Sequence, residues 1–113
     1  MLAVDIVDIE RFRRSLSRTP KLMEYLFHHS EQAFPIKTLS ASFALKECLV
    51  KVGLIRSPLN FKQFFLVHNK DGKPFVGSNG FDCQLMSDDV TFSISHSHNL
   101  TICVLGLNRP PCW

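Results

Sequence analysis

The segment Leu39–Val52 limits the architecture more than any other stretch of these 113 residues. Placed at about 100° per residue, Leu39, Phe43, Ala44, Leu45, Cys48, Leu49, Val50 and Val52 spread nearly all the way round a helical wheel. A helix that is apolar on almost every side has no face to offer water, so the rest of the chain must wrap it. Thr38 or Ser40 opens this helix and Gly53 closes it. One polar stripe survives: Ser40, Glu47 and Lys51 fall within roughly 40° of one another, so a carboxylate and an ammonium leave the helix side by side.

What surrounds the helix is legible as strands and short helices. Leu2–Ile9 is β-branched and apolar, which suits a buried strand, with Asp5 inside it. Asp8 is placed to cap a helix from Ile9 through Arg14, and Thr19-Pro20 starts a second whose inner face is Leu22, Tyr25 and Leu26. Phe34-Pro35 marks a break. After Gly53, the runs Phe61–His68 and Lys73–Val76 flank Asn69-Lys70-Asp71-Gly72, a hairpin by its turn chemistry. Residues 77–89 read as a loop with at most a short helix at Gln84–Met86. Val90–Ser95 alternates, His96-Ser97-His98-Asn99 turns, and Leu100–Leu107 returns as its antiparallel partner. The expected class is α+β, a largely antiparallel sheet packed against one long buried helix, with residues 1–113 forming one domain.

Composition removes several functional classes. At 45% hydrophobic and a mean hydropathy of +0.05 the chain is of ordinary globular character, without low-complexity bias. Its longest apolar runs are a few residues, which predicts no membrane span and no secretory leader. The four cysteines lack any paired Cys/His spacing of the zinc type, so a reducing cytoplasm is expected, with Cys48 and Cys103 as small buried hydrophobes. Net charge is only +3, yet Arg11, Arg13, Arg14, Arg18 and Lys21 follow one another with no acid among them. A stretch like this attracts nucleic acid, an anionic membrane or an acidic protein alike, or is simply a solvated helix face. A nucleic-acid module is the weaker reading, because neither a stacking-aromatic pattern nor a helix-turn-helix spacing accompanies the charge.

If Asp5 and Glu47 meet in space, two carboxylates in apolar surroundings cannot both stay ionised and unpaired. A divalent cation resolves the conflict, since magnesium is held by one or two carboxylates while water and phosphate oxygens fill its other positions. Lys51, one turn from Glu47, is within reach of such a phosphate. The plainer alternative is an ordinary i,i+4 pair between Glu47 and Lys51. Ser93-Ile94-Ser95-His96-Ser97 lacks a strand-to-helix nucleophile elbow, but its hydroxyls, turn amides and imidazole can donate to phosphate oxygens; a polar hairpin end is again the plainer alternative. His28, His29, His68 and His98 read as surface residues.

Taken in order, these segments resemble the holo-acyl-carrier-protein synthase group of 4'-phosphopantetheinyl transferases. Val4-Asp5-Ile6-Val7-Asp8-Ile9-Glu10-Arg11-Phe12 is similar to the N-terminal G-x-D-I-x-x-I-x-R motif of that family. Ser42-Phe43-Ala44-Leu45-Lys46-Glu47-Cys48-Leu49-Val50-Lys51 is similar to its R-F-A-x-K-E-A-x-x-K helix, and Phe92-Ser93-Ile94-Ser95-His96-Ser97 to its V-S-I-S-H strand. Gly72-Lys73-Pro74 supplies the family's G-K-P turn between them. The resemblance implies the small phosphopantetheinyl transferase fold, a homotrimer with clefts between subunits, and transfer of phosphopantetheine from coenzyme A to a serine of an acyl carrier protein. It further implies Asp5 and Glu47 as magnesium ligands, Lys51 as a catalytic phosphate contact, and Lys73, Pro74, Ser95 and His96 as coenzyme A contacts. Arg11 leads carrier-protein docking, with Arg13, Arg14 and Arg18 beside it. Ala3 stands for the motif glycine, Ser42 for an arginine expected at a coenzyme A phosphate, and Thr91 for a histidine; a water near Asp5 then takes the serine proton. The two alternatives are a relative that binds coenzyme A without turnover and the basic nucleic-acid module.

Overall fold

The computed structural model describes residues 1–79 and 89–109. Strand β1 (Leu2–Asp8) leads into helix α1 (Ile9–Arg18) and the short helix α2 (Lys21–Leu26). A 3-10 turn at His29–Glu31 precedes helix α3 (Ile36–Lys51), and a second at Pro58–Gln63 precedes the hairpin of β2 (Phe64–His68) and β3 (Pro74–Ser78). Strands β4 (Val90–Ser97) and β5 (Leu100–Leu107) follow. All pairing among the described residues is antiparallel: one sheet has the order β1-β5-β4 and the other is β2-β3.

Helix α3 lies on β1 and β5, as its sequence requires. Ala44, Leu45, Cys48 and Leu49 are buried against Ala3, Val7, Cys103 and Leu105 of the sheet's inner face. Each fully buried Leu removes apolar surface from water at a gain of about 1.5–3 kcal/mol, so four turns of helix with almost no polar face are held by packing rather than by propensity. Helix α3 ends as expected: Gly53 takes φ 85°, Gly53 N–H donates to Val50 O (2.9 Å), and Leu54 N–H donates back to Leu49 O (2.9 Å). It begins earlier than expected, at Ile36, because Pro35 cannot continue a helix upstream but starts one readily.

Asp8 caps α1 as predicted, accepting from Arg11 N–H at 2.9 Å. Asn99, at the tip between β4 and β5, reinforces that end. Its Nδ2 donates to Asp8 Oδ1 (2.7 Å), and it accepts from the Glu10 and Ile9 amides at 3.0 and 2.8 Å. These donors hold the Asp8 carboxyl below the usual range, the Arg11 amide first and Asn99 second. The Asn69–Gly72 turn also forms as read. Asn69 Oδ1 accepts from the Asp71 and Lys73 amides, both at 3.0 Å, and Gly72 has φ 80°.

Several local expectations are corrected. The run starting at Phe61 is 3-10 until Gln63, since Ser57-Pro58 opens a tight turn before the strand. Gly77 belongs to β3, where a side chain would strike the Phe65 ring facing it. The β4–β5 turn is only His98-Asn99, with His98 at φ 52°; His96 and Ser97 are still strand. In α2, Met23 rather than Tyr25 packs inward, and Tyr25 is exposed. His28 is half-buried and stacked on Phe65, with ring centroids 4.4 Å apart. The expected short helix at Gln84–Met86 lies outside the described residues.

One feature of the core escapes pattern reading altogether. Lys46 and Glu31 are both fully buried, and Lys46 Nζ donates to Glu31 Oε1 (2.6 Å) and to Leu26 O (2.6 Å) while sitting 4.8 Å from the Phe27 ring centroid. The Glu31 carboxylate also accepts from the Ser42 hydroxyl, the Leu66 amide (3.0 Å) and the His28 amide (3.1 Å). Burial pushes the Lys46 ammonium below its ordinary value, against the pull of Glu31. Removing one partner strands a buried charge. Glu31→Gln is expected to lower stability by about 3–5 kcal/mol, and the double change Glu31→Gln with Lys46→Met by much less. Denaturant melts of the two variants check this; equal losses would contradict it.

Candidate functional site

Along β1 the side chains alternate, so Ala3, Asp5 and Val7 turn toward α3 while Leu2, Val4 and Ile6 face away. Asp5 is therefore delivered to the seam between sheet and helix. On the helix side the polar stripe supplies Glu47 and, one turn on, Lys51. Lys51 Nζ donates to Val4 O (2.6 Å) and to Asp5 Oδ1 (3.2 Å). The helical i,i+4 spacing thus serves a contact between elements rather than a Glu47–Lys51 pair alone. Ser40, assigned to the same stripe by angle, is instead fully buried and bonded to Thr101 Oγ1 (2.7 Å).

Asp5 and Glu47 both border a groove of about 600 Å³. Asp8 and Arg11 add polar groups to its rim, and Phe12, Leu16, Leu26, Phe43 and Phe61 make its walls. Phe12 stacks on Phe43 at 5.1 Å between centroids and meets Phe27 edge-on at 6.1 Å, which fixes α1 against α3. Glu47 is half-buried, and its carboxyl is raised above the ordinary carboxylate value: burial is the main cause, the Asp5 charge adds to it, and Lys51 opposes it.

This donor set fits a magnesium ion. The Asp5 charge disfavours ionisation of Glu47, a condition that a cation would relieve, and the open groove leaves room for water and phosphate oxygens. Among the described residues no group of three or more His, Cys, Asp or Glu side chains is assembled for a metal.

The remaining predicted residues lie elsewhere. Ser95 and His96 are on β4, separated from β1 by β5, and their side chains project to opposite faces of the sheet. Pro74 begins β3 in the second sheet, and Lys73 closes the turn just before it, its amide donating to Asn69 Oδ1. Arg11, Arg13, Arg14 and Arg18 are all exposed on α1, and the Arg13 guanidinium is tied to Glu10 (Nε to Oε2, 3.1 Å). Ser42 does not face the groove, because its hydroxyl is spent on buried Glu31. Thr91 is exposed on β4 and accepts from Asn108 Nδ2 at 3.0 Å. Sequence reasoning missed Phe12 and Phe43 as groove walls; their i,i+4-compatible positions beside Asp8 and Glu47 were the available signal.

The raised Glu47 carboxyl has a measurable consequence. A folded-state value above the unfolded one means that stability is fullest at low pH and declines as Glu47 ionises on the way to neutrality. Glu47→Gln is expected to raise the melting temperature by a few degrees near neutral pH, and the gain should vanish below about pH 4. Thermal melts across pH would show it, and a less stable variant at neutral pH would contradict it.

Comparison with known proteins places this geometry in context. A family model described as the 4'-phosphopantetheinyl transferase superfamily matches residues 1–104. A holo-acyl-carrier-protein synthase of Leifsonia xyli subsp. xyli is 32% identical over 112 residues, covering 96% of this chain and 95% of that protein. One from Clavibacter michiganensis subsp. michiganensis is 32% identical over 103 residues, covering 88% and 87%. In fold, the chain superposes on the holo-acyl-carrier-protein synthase of Helicobacter pylori in complex with coenzyme A with a TM-score of 0.77 at 24% identity, covering 96% of this chain and all 100% of that one. The Neisseria meningitidis synthase gives 0.79 at 20% identity, with 96% and 97% covered.

Proposed function

The chain belongs to the 4'-phosphopantetheinyl transferase superfamily, and from that premise we propose that it transfers the 4'-phosphopantetheine group of coenzyme A to a serine of an apo-acyl carrier protein, leaving adenosine 3',5'-bisphosphate. The observation that carries the reading is the convergence of Asp5 and Glu47 at one groove, from two elements far apart in sequence, with Lys51 bonded to Asp5 beside it. Phosphoryl transfer of this kind asks the protein for positioning and charge neutralisation rather than for a nucleophile.

In this reading Asp5 and Glu47 hold magnesium, which when bound supplies positive charge at the diphosphate. Lys51 is already poised at Asp5 and has the reach to donate to a phosphate oxygen instead. The apolar walls of Phe12, Phe43 and Leu26 give the pantetheine arm a surface to lie on. The serine oxygen forms its bond to phosphorus as the bond to the bisphosphate breaks, and a water beside Asp5 accepts the serine proton. Lys73, Pro74, Ser95 and His96 contact coenzyme A in this scheme. Arg11 leads docking of the acidic carrier, with Arg14 and Arg18 presenting further positive charge; Arg13 contributes less, its charge being neutralised by Glu10.

A homotrimer acting in the cytoplasm, each chain one domain over residues 1–113, completes the proposal. Two features support assembly. Leu2, Val4 and Ile6 of β1 and Val104 of β5 form an exposed apolar row on the outer sheet face. The coenzyme A contacts on β4 and β3 also lie outside the groove that holds the acids, so a cleft between subunits can bring the two sets together. No helix among the described residues is long and apolar enough to cross a membrane.

Incubation with coenzyme A, magnesium and apo carrier protein should give one phosphopantetheine adduct by mass spectrometry. Asp5→Asn and Glu47→Gln should each cut turnover at least about 100-fold, the scale of losing a preorganised charge at the reacting centre, without unfolding the chain. Arg11→Glu should raise the KM for carrier protein and leave coenzyme A binding alone. Tight coenzyme A binding with no adduct across several carriers would instead identify a non-turnover relative. Light scattering should return the mass of three 12.9 kDa chains, and Val4→Asp should dissociate them.

A further inference from the structure

A chain of buried hydroxyls runs from the first turn of α3 to His96 at the sheet's edge, and its direction can be assigned from chemistry alone. Ser40 Oγ lies 2.6 Å from Lys37 O, 2.7 Å from Thr101 Oγ1, and Thr101 Oγ1 lies 2.8 Å from His96 Nδ1. A backbone carbonyl only accepts, so the single Ser40 proton goes to Lys37 O. Ser40 Oγ must then accept from Thr101, whose one proton is thereby spent, and Thr101 Oγ1 in turn can only accept from His96 Nδ1. Ser40 and Thr101 are both fully buried, so water is not at hand to reverse either hydroxyl.

We infer that Thr101 and Ser40 are positioning residues that hold the His96 ring in its Nδ1–H form, so that His96 meets a phosphate of coenzyme A only as an imidazolium. The first half follows from the relay. The second rests on the coenzyme A reading given above: in the neutral ring Nε2 is left as an acceptor, a phosphate oxygen is an acceptor too, and Nε2 can donate only when the ring carries both protons. A neutral histidine free to choose its tautomer would place its proton on Nε2 and donate to phosphate without charge; the relay forbids that option. His96 therefore brings positive charge, and not merely a hydrogen bond, to whatever phosphate it contacts.

Nitrogen-15 NMR of the intact protein tests both halves, the His96 signals being those lost in His96→Gln. In the free protein at a pH where the ring is neutral, His96 should show the Nδ1–H tautomer alone. Thr101→Val, close in shape, should lose that single-tautomer signature, and Ser40→Ala should relax it by freeing the Thr101 hydroxyl. With saturating coenzyme A the wild-type ring should carry protons on both nitrogens. Kinetically, Thr101→Val should raise the KM for coenzyme A about fivefold, the scale of one hydrogen bond, with kcat near the wild-type value, and Thr101→Ser should restore both. An Nε2–H tautomer in the wild type, or an unchanged tautomer in both Thr101→Val and Ser40→Ala, would overturn the inference. A ring held as Nδ1–H whose signals ignore coenzyme A would overturn the coenzyme A role of His96 and leave the relay standing, so the two failures are separable.

Discussion

The ion pair between Lys46 and Glu31 is the constraint on which the placement of α3 depends. With both side chains removed from water, neither charge survives unless every strong hydrogen-bonding position around it is met, and the partners come from four separate parts of the chain: the end of α2, the 3-10 turn, α3 and β2. Such a pair adds little net stability over a well-packed apolar alternative. What it does is forbid rotation or sliding of α3, because a shift of a few tenths of an ångström would unmake several charge-assisted bonds at once. Glu47 follows Lys46 directly, so the residue that faces the groove is indexed by the one that faces the core.

The groove itself stores a conflict. Asp5 and Glu47 are brought together by packing that ignores their charge: Asp5 by the inward phase of β1, Glu47 by the single polar stripe of an otherwise apolar helix. In the free chain the Asp5 charge is partly answered by Lys51, while Glu47 retains its proton more tightly than an exposed glutamate. Stability has been traded for a place where incoming positive charge is favoured, which is the pattern expected of a binding centre rather than of a structural surface.

Local rules made much of this legible. The all-round apolar wheel of α3, Asp8 as a cap, the Asn69–Gly72 turn and the alternation of β4 each depend on neighbours within a few residues, and each formed close to where it was read. The Asp5–Glu47 meeting is in the sequence only as a supposition, with an ordinary Glu47–Lys51 pair as the plainer alternative; the inward phase of β1 and the packing of α3 decide that both acids border one groove. Illegible features were those whose partner is distant or whose environment outranks type. Ser42 stands where an arginine would meet a phosphate but instead donates to a buried carboxylate; Glu31 carries no local pattern that predicts its burial; and Ser95-His96-Ser97-His98 has the composition of a turn, whereas β5 pairing carries the strand through Ser97. Met23 and Tyr25 exchanged roles because a six-residue helix offers too few turns to define its phase.

Among the described residues strand β1 sits at one edge of its sheet with β5 as its sole neighbour, while Asn99 ties the start of α1 to the turn just before β5. Strand β1 thus waits for a strand some ninety residues further along the chain. During synthesis the first eight residues have no strand to pair with, and the arginine-bearing helix lacks half its terminal bonds, until residues near 100 have left the ribosome. Closing this sheet is consequently a long-range step, and β1 keeps its ladder groups unpaired until β5 has been made.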